Sequence, residues 1–283
     1  MLELVSLQPV DYLAIGHLAV DLTPSGPRLG GTVVYAALTA RALGLRVGIV
    51  TACAADAPLA ALEGIPVVSI PSEHSTTFEN IPVENGRRQI LHHQAAALSF
   101  ENIPPVWRQT PIVHVGPIAQ ELAPDLPQEL AASLLGLTPQ GWLRTWDAEG
   151  LVKPCIWKEA EIVLPRVGAA VISREDAAGD EEQIERMAHA ARVLAVTENS
   201  AGVRLYWHGD QRRFRAPKVN EVDSTGAGDI FAAALFTRLY STRDPWEAAR
   251  FATLLASYSV MRPGLAGIPT AEEIQESLME VLS

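Results

Sequence analysis

Residues 222–235 read Val-Asp-Ser-Thr-Gly-Ala-Gly-Asp-Ile-Phe-Ala-Ala-Ala-Leu, and this stretch decides the fold. It begins polar, narrows to two glycines around an alanine, and continues as an apolar run. A run of that composition predicts a helix that is buried on most of its faces. The first N–H groups of such a helix have no partner within it and lie at the positive end of the helix dipole. The stretch therefore predicts an anion-binding turn at the start of a buried helix.

Phosphoryl transfer is a reaction that this arrangement suits. Negative charge spreads over a phosphoryl group during transfer, and N–H donors that are held in place stabilise it. We expect Gly226, Ala227 and Gly228 to form the anion hole and Asp229 to accept the proton of an attacking hydroxyl. The alternative is an ordinary glycine-rich turn, in which Asp229 is favourable at the helix start without any catalytic role.

The composition limits the class of protein. The chain has 283 residues, of which 48% are hydrophobic, so it can bury a sizeable core. Its net charge of −11 argues against a nucleic-acid partner, because no basic face offsets the repulsion of phosphates. The two cysteines, Cys53 and Cys155, match no zinc spacing and predict no disulfide framework.

We expect a cytoplasmic protein without a membrane partner. Residues 1–4, Met-Leu-Glu-Leu, lack the basic start of a signal peptide. No apolar run approaches the roughly 18–20 residues that a membrane span requires. The cysteines are then thiols in a reducing compartment.

Predicted strands and helices alternate along the chain. Strands are predicted at residues 12–16, 46–52, 65–70, 112–117, 135–137, 169–172 and 192–197. Helices are predicted at residues 33–43, 57–63, 123–134 and 245–258. This alternation predicts a mostly parallel sheet with helices on its faces. Two β-prone runs around Asn85-Gly86 also predict a polar hairpin that projects from the core.

The Asp-Ser-Thr-Gly-Ala-Gly-Asp motif and the helix after it resemble the C-terminal signature of the ribokinase-like (PfkB) carbohydrate kinases. The resemblance continues in order over nearly the whole chain. It implies one α/β domain over residues 1–283, a three-layer α/β/α sandwich with a small β lid from about residues 17–29 and 74–94. It implies ATP-dependent phosphorylation of a hydroxyl on a small sugar, polyol or nucleoside, with Mg²⁺ and, in some members, K⁺.

The resemblance assigns substrate contacts to the first part of the chain. Asp21 stands where the family has an Asp that binds substrate hydroxyls, and Gly30 and Gly31 stand where bare glycines let substrate lie against the backbone. Thr77 and Asn80 are the candidates from the lid. A turn-forming Asp and a solvent-facing hairpin are the plainer explanations for these residues.

Two further positions bear on the substrate. Tyr35 replaces the Asn that many sugar kinases carry four residues after the second glycine, which removes a usual sugar contact. The segment Pro139-Gln140-Gly141-Trp142-Leu143-Arg144 resembles a Pro-Gln-Gly-x-x-Arg variant of kinases near inositol and other polyol phosphorylation. Arg144 is therefore a candidate for contact with phosphate or substrate, and a surface or helix-capping role is the equal alternative.

The resemblance also places the donor and the ions. Thr197 and Gly202 match a Thr-x-Gly-x-x-Gly pattern that contacts ATP phosphates together with Gly226 and Gly228, and Asn199 replaces its middle glycine. Ser173 and Asp176 stand where the family holds Mg²⁺ through water. The plainer explanation is an ordinary helix start, with Ser173 as the N-cap and Asp176 at the third helical position. Asp223 and Thr225, with the loop at 261–267, stand at a monovalent-cation site.

The resulting interpretation is a cytoplasmic ATP-dependent kinase of a small sugar or polyol, with inositol-like substrates included. A nucleoside kinase and a catalytically inactive sugar-sensing homologue are the alternatives. The sequence has no Gly-x-x-x-x-Gly-Lys-Ser/Thr motif and no dinucleotide fingerprint that would compete for the phosphates. A homodimer formed through the lid is left open.

Overall fold

The computed structural model describes residues 7–24, 26–83 and 86–279. Residues 1–4, on which the prediction about a signal peptide rests, lie outside the described residues. Asn85 of the predicted hairpin turn also lies outside them. Within these ranges, no helix is both long enough and apolar enough to cross a bilayer.

The described residues form strands and helices that alternate as predicted. The strands are β1 (Tyr12–Ile15), β2 (Ala19–Thr23), β3 (Gly26–Gly30), β4 (Val47–Cys53), β5 (Val67–Pro71), β6 (Thr76–Val83), β7 (Gly86–His93), β8 (Ile112–Val115), β9 (Leu134–Leu137), β10 (Arg144–Trp146), β11 (Val152–Pro154), β12 (Ala169–Ser173), β13 (Val193–Thr197), β14 (Val203–Trp207) and β15 (Asp210–Phe214). The α-helices are α1 (Thr32–Ala42), α2 (Leu126–Glu129), α3 (Ala160–Val163), α4 (Glu181–Ala190), α5 (Ala227–Thr242), α6 (Pro245–Ser259) and α7 (Ala271–Leu278).

Nine strands form the central sheet, in the order β15-β14-β13-β12-β9-β8-β1-β4-β5. The seven strands from β13 to β5 are parallel, whereas β14 and β15 return antiparallel at one edge. One apolar cluster packs α1, α5 and α6 against one face, and a second cluster covers the opposite face with α3 and α4. The predicted α/β sandwich with a mostly parallel sheet is confirmed.

The helix that follows the glycine-rich turn lies flat on the middle of this sheet. Gly136 on β9 makes that approach possible, because a Cβ there would lie only 2.4 Å from the ring of Phe236 on α5. His114 on β8 meets the same ring edge-on, with the ring centroids 4.9 Å apart. Burial lowers the pKa of His114 to about 3, so the imidazole is neutral. The start of α5 is thereby fixed at the carboxyl edge of the parallel strands, where ligands bind in open α/β sheets.

A separate four-stranded sheet, which we call the lid, has the order β3-β2-β6-β7. A hairpin that the sequence analysis did not predict, β10–β11, extends from the body to its outer strand. Its turn joins the lid through a backbone hydrogen bond of 2.8 Å from Leu91 N–H to Gly150 C=O. The lid is therefore attached to the body at β7 as well as through its connecting segments.

Two predicted helices are shorter than expected, and the helix start that Ser173 would cap in the alternative interpretation is absent. At residues 57–63 only a 3₁₀ helix forms, at Leu59–Leu62. The helix predicted at 123–134 is reduced to Leu126–Glu129. Pro127 cannot donate the backbone hydrogen bond that a helix beginning at residue 123 requires, and the extended backbone of Leu130 ends the helix. Residues 174–179, which follow Ser173, form turns rather than a helix. Ala178 and Gly179 both have positive φ, which interrupts helical geometry, and α4 begins only at Glu181 with Asp180 as its N-cap.

Glu121 fastens two loops at the carboxyl edge of the sheet. Its side chain is buried, and Oε1 accepts hydrogen bonds from the N–H groups of His17 at 2.9 Å and Ile118 at 3.0 Å. Oε2 accepts from Ala119 N–H at 2.7 Å. The carboxylate thus holds the segment that leads from β1 into the lid against the segment that follows β8.

We expect Glu121→Ala to destabilise the protein strongly, because it leaves three N–H groups buried without an acceptor. Since each unsatisfied buried group costs about 1–3 kcal/mol, the free energy of unfolding should fall by about 3 kcal/mol or more. Urea denaturation measures the change, with Glu129→Ala on the exposed face of α2 as the matched control. A loss below about 1 kcal/mol for Glu121→Ala would contradict the role assigned to this carboxylate.

Candidate active site

Two helix N-termini meet at the centre of the candidate site. Helix α1 begins at Thr32, directly after Gly30 and Gly31, and helix α5 begins at Ala227. Thr32 Oγ1 donates a hydrogen bond of 2.7 Å to Asp229 Oδ1 in the first turn of α5. The Gly-Gly motif and the Gly-Ala-Gly-Asp motif, nearly two hundred residues apart in sequence, are therefore one site in space.

The turn before α5 requires glycine at its first position. Gly226 has φ +78°, and a Cβ there would lie 2.3 Å from the ring of Tyr35, which packs against the turn. At Gly228 a Cβ would meet nothing within 4 Å, so this side of the turn is open. The two glycines therefore have different roles. Gly226 leaves room for the ring of Tyr35, and Gly228 leaves the space in front of the helix open.

The donors of the predicted anion hole differ in availability. Ala227 N–H is used within the turn, where it donates to Ser224 C=O at 3.2 Å. Within the described part of the chain, the N–H groups of Gly226, Gly228 and Asp229 donate to no protein acceptor. The anion site at the helix start therefore offers Gly226 and Gly228, but not Ala227, of the three predicted donors.

The surroundings of Asp229 raise the pKa of its carboxyl group toward 7. Burial raises the pKa of Asp229 to about 6, the hydrogen bond from Thr32 opposes this rise, and the nearby carboxylates of Asp176 and Asp21 add to it. Arg144 lowers the same pKa. A carboxylate with that pKa is largely ionised at pH 7 and is still a better proton acceptor than an ordinary Asp.

Arg144 lies in a cluster beside Asp229 and not on the open surface. Its Nη2 is 3.8 Å from Asp176 Oδ1, and the two side chains are 11% and 10% exposed. Gln140, from the same Pro-Gln-Gly segment, donates to Asp176 Oδ1 at 3.2 Å. The segment after β9 and the turn after β12 are thereby joined next to the base.

The residues expected to hold Mg²⁺ through water satisfy each other instead of leaving an open ligand set. Asp176 Oδ2 accepts from Ser173 N–H at 3.0 Å and from Ser173 Oγ at 2.7 Å, and Asp176 N–H donates back to Ser173 Oγ. These are the bonds of a capping box, but here they close a turn. In the described ranges, no group of three or more His, Cys, Asp or Glu side chains could hold a metal ion directly. The residues present therefore fit contact with Mg²⁺ only through its bound water.

A cleft of about 820 Å³ separates the lid from the body. Asp21 and Asn80 line it from the lid, 3.4 Å apart between Asp21 Oδ1 and Asn80 Nδ2. Gly30 keeps room for this acid, because a Cβ there would lie 2.5 Å from Asp21 Oδ2. Thr77, the other lid candidate, donates to Ser75 C=O at 2.9 Å and is not among the residues that line the cleft.

The body side of the cleft carries the residues expected at the cation site. Tyr35, Asp223, Thr225 and Gly264 line it. Asp223 Oδ1 accepts from Thr225 N–H and Oδ2 accepts from Gly264 N–H, both at 2.9 Å. Asp223 therefore ties the loop before α5 to the loop that follows α6, and its role toward K⁺ stays a prediction.

The loop predicted to contact the donor phosphates lies at the ends of β12 and β13. Asn199 has φ +51°, so it adopts the left-handed backbone that the sequence analysis expected it to tolerate in place of glycine. Gly202 has φ +98°, and a Cβ there would lie 2.0 Å from Phe214 C=O. Thr197 Oγ1 donates to Ile172 C=O at 3.4 Å. Asn199 and Ala201 of this loop line a second cavity of about 650 Å³, and Arg174 lines it as well.

Sequence reasoning missed three contributors to the site. Thr32 binds Asp229, Arg28 lines the cleft from β3, and Gln140 binds Asp176. The signal for Thr32 was present, since it is the first helical residue after a Gly-Gly pair that was itself predicted to face the substrate. Arg28 carries no such signal, because only the folded chain places it near the other residues. Gln140 belongs to the Pro-Gln-Gly segment that the sequence analysis singled out, although no role was assigned to it there.

Comparisons with known proteins bear on the fold and on the family that the chain resembles. Residues 158–271 match the model of the pfkB family of carbohydrate kinases. The chain is 25% identical to a fructokinase from Escherichia coli over 301 residues, which covers 93% of this chain and 96% of the relative. It is 38% identical to the ribokinase of Bacillus subtilis (strain 168) over 95 residues, 33% of this chain and 32% of the relative. For three of the curated relatives, the chain spans only 32–49% of the relative's own length.

A solved structure shares the fold over almost the whole chain. It is a pyrophosphate-dependent kinase in the ribokinase family, complexed with a pyrophosphate analog and myo-inositol. It superimposes with a TM-score of 0.76 at 22% sequence identity and covers 94% of this chain and all of that chain. The chain therefore has the ribokinase-like fold, with a mostly parallel central sheet and a small separate β lid, and its residues 158–271 are similar to the pfkB family of carbohydrate kinases.

Proposed function

We propose that the protein is a kinase that transfers the terminal phosphoryl group of ATP to a hydroxyl of a small sugar or polyol. The observation that carries this proposal is the position of Asp229. Its carboxylate lies where two helix N-termini converge, beside N–H groups without a protein acceptor, and its pKa is about 6. An anion site and a proton acceptor next to each other supply two of the functions that phosphoryl transfer to an alcohol requires.

The proposed reaction uses the chain's own residues as follows. The substrate binds in the cleft with its hydroxyls on Asp21, and the reacting hydroxyl donates a hydrogen bond to Asp229. As that oxygen attacks the terminal phosphorus, Asp229 takes its proton and the bond from phosphorus to the bridging oxygen of the donor breaks. The N–H groups of Gly226 and Gly228 and the two helix dipoles stabilise the charge on the phosphoryl oxygens. Mg²⁺ bound with the donor would neutralise part of its charge.

Pyrophosphate is the second candidate donor. It is favoured by the solved structure of a pyrophosphate-dependent kinase that shares this fold over 94% of the chain. Both donors end in the same phosphoanhydride, and the turn at Gly226–Gly228 is expected to contact only the terminal phosphoryl group. The myo-inositol in that structure likewise favours an inositol-like polyol among the substrates proposed here.

The test is a matrix of donors and acceptors. ATP or pyrophosphate, each with Mg²⁺, is combined with myo-inositol, fructose, ribose or a nucleoside, and ³¹P NMR follows the new phosphate ester. We expect turnover of a sugar or polyol by the native protein and at least a hundredfold less by Asp229→Asn. If phosphate is transferred only from pyrophosphate, pyrophosphate and not ATP is the donor. If it is transferred only to nucleosides, the substrate is a nucleoside and not a sugar or polyol.

A sugar-sensing protein without catalysis is the alternative from another class. It predicts that the native protein and Asp229→Asn give equal, background-level formation of phosphate ester with every pair. It also predicts saturable binding of a sugar without a donor, which calorimetry measures. That combination of results would overturn the proposed kinase activity.

A further inference from the structure

We infer that Thr32 is a positioning residue that holds Asp229 with one carboxylate oxygen turned toward the reacting hydroxyl. This inference rests on the proposed function of Asp229 and adds a second residue to its site. The hydrogen bond from Thr32 Oγ1 occupies Asp229 Oδ1 at 2.7 Å. Oδ2 is then the oxygen that is left for the proton of the substrate.

The hydroxyl of Thr32 is aimed by the packing around it. The side chain is only 2% exposed, and its methyl group lies against Gly116, where an added Cβ would be 2.5 Å from Thr32 Cγ2. Because Thr is branched at Cβ, fixing the methyl group also fixes the direction of the hydroxyl. The hydroxyl therefore cannot turn away from Asp229 without moving the methyl group from its place against Gly116.

The backbone before Thr32 is fixed as well. Gly31 has φ +89°, and a Cβ there would lie 2.7 Å from Ala19 N and 2.9 Å from His17 C=O. The segment between β1 and β2 thus lies directly on the start of α1. Since α1 and α5 also pack along their length, the donor and its acceptor are held by two rigid elements.

The hydrogen bond favours the ionised form of Asp229, because it is made to the carboxylate. The hydrogen bond and Arg144 both lower the pKa of Asp229. Burial, Asp176 and Asp21 raise it. Among the described residues, Tyr12 on β1 and Tyr35 on α1 also interact with this carboxylate. Burial and then the carboxylate raise the pKa of both phenol groups, so both stay neutral. Losing the donor should therefore shift the titration of Asp229 upward.

The experiment compares Thr32→Val and Thr32→Ala, which lack the donor, with Thr32→Ser, which keeps it. The readout is the ¹³C titration of the Asp229 carboxyl group, assigned by the signal that disappears in Asp229→Asn. We expect the pKa of Asp229 to rise by about 0.5–1 unit in both donor-less variants and to stay near the native value in Thr32→Ser. In an active enzyme, the acidic limb of the pH–kcat profile should move upward by the same amount.

A purely structural link between the two helices makes different predictions. It allows Thr32→Val to lower the melting temperature but leaves the pKa of Asp229 at its native value. That result, or a titration of Thr32→Ser that matches Thr32→Val, would overturn the inference. Thr32→Ala creates no new contact with the carboxylate, so it decides the question if Thr32→Val does not fold.

The two proposals can fail separately. The carboxyl titration requires no turnover, so it reports on Thr32 even if the native protein transfers phosphate from no donor. If the native protein shows no turnover but the pKa of Asp229 shifts in the variants without the donor, the proposed kinase activity is rejected and the positioning role of Thr32 is kept. Turnover with an unshifted titration would keep the kinase and reject the role of Thr32.

Discussion

Asp229→Asn is expected to lower kcat by about 10²–10⁴-fold, because the amide cannot take the proton of the attacking hydroxyl. The substitution conserves size, and the amide oxygen can still accept the hydrogen bond from Thr32 Oγ1. The substitution leaves Asp21 unchanged, and because we propose that Asp21 binds the substrate, KM should change much less than kcat. Initial rates of phosphate-ester formation at saturating donor and acceptor measure the effect.

The same substitution is expected to stabilise the folded protein at neutral pH. The pKa of Asp229 is raised from 3.8 to about 6, so the folded state binds its proton more tightly than the unfolded state. The native protein therefore loses stability as pH rises from about 4 to about 6, by about 2–3 kcal/mol in total. Asp229→Asn lacks this loss and should unfold at higher urea concentration at pH 7, but not at pH 4.

Opposite changes in activity and stability separate this account from simple damage to the fold. A variant that loses activity because it is misfolded would lose stability at both pH values. Asp210→Asn, at an exposed position in β15, serves as the matched control and should change neither property. An Asp229→Asn protein that is as active as the native one would show that another group accepts the proton.

Gly226→Ala is expected to cost about 10²–10³-fold in kcat, the effect of removing one donor of an anion hole. A methyl group at this position would lie 2.3 Å from the ring of Tyr35, and its backbone has φ +78°. The turn must move to relieve both conflicts, and the N–H groups of Gly226 and Gly228 move with it. Strain of this kind should also lower the free energy of unfolding by about 1–3 kcal/mol.

Gly209→Ala provides a control for backbone strain alone. Gly209 has φ +80° at the turn between β14 and β15, and a Cβ there would meet nothing within 4 Å. It should lose stability by about 1 kcal/mol and keep its kcat. Equal kcat losses in Gly226→Ala and Gly209→Ala would mean that the anion-hole geometry is not what Gly226 protects.

The sequence predicted the parts of the site that depend on local chain geometry. The turn at Gly226, the buried helix after it and the helix that begins after Gly30-Gly31 could be predicted because glycine, small apolar residues and helix starts act within a few residues. The positive φ of Asn199 belongs to the same group. These features require no knowledge of which strands are neighbours.

What the sequence did not predict depends on contacts between distant segments. The bond between Thr32 and Asp229 joins two helix starts that only the order of strands in the sheet brings together. Ala227 was expected to donate to an anion, but its N–H closes a turn with Ser224, a choice that depends on the detailed backbone path. The helix expected at 123–134 is shorter in the structure, because Pro127 lacks the N–H that a helix from residue 123 requires and Leu130 has extended backbone.

The central claim is tested most directly by a crystal structure of the protein with a polyol that it phosphorylates and a non-hydrolysable analogue of the phosphoryl donor. The analogue of whichever donor is active is used, either an imidodiphosphate nucleotide or methylenediphosphonate. We predict one substrate hydroxyl about 2.6–3.2 Å from an Asp229 carboxylate oxygen, and the terminal phosphate on the N–H groups of Gly226 and Gly228. A terminal phosphate bound away from this turn, or a reacting hydroxyl that faces another acid, would contradict the account.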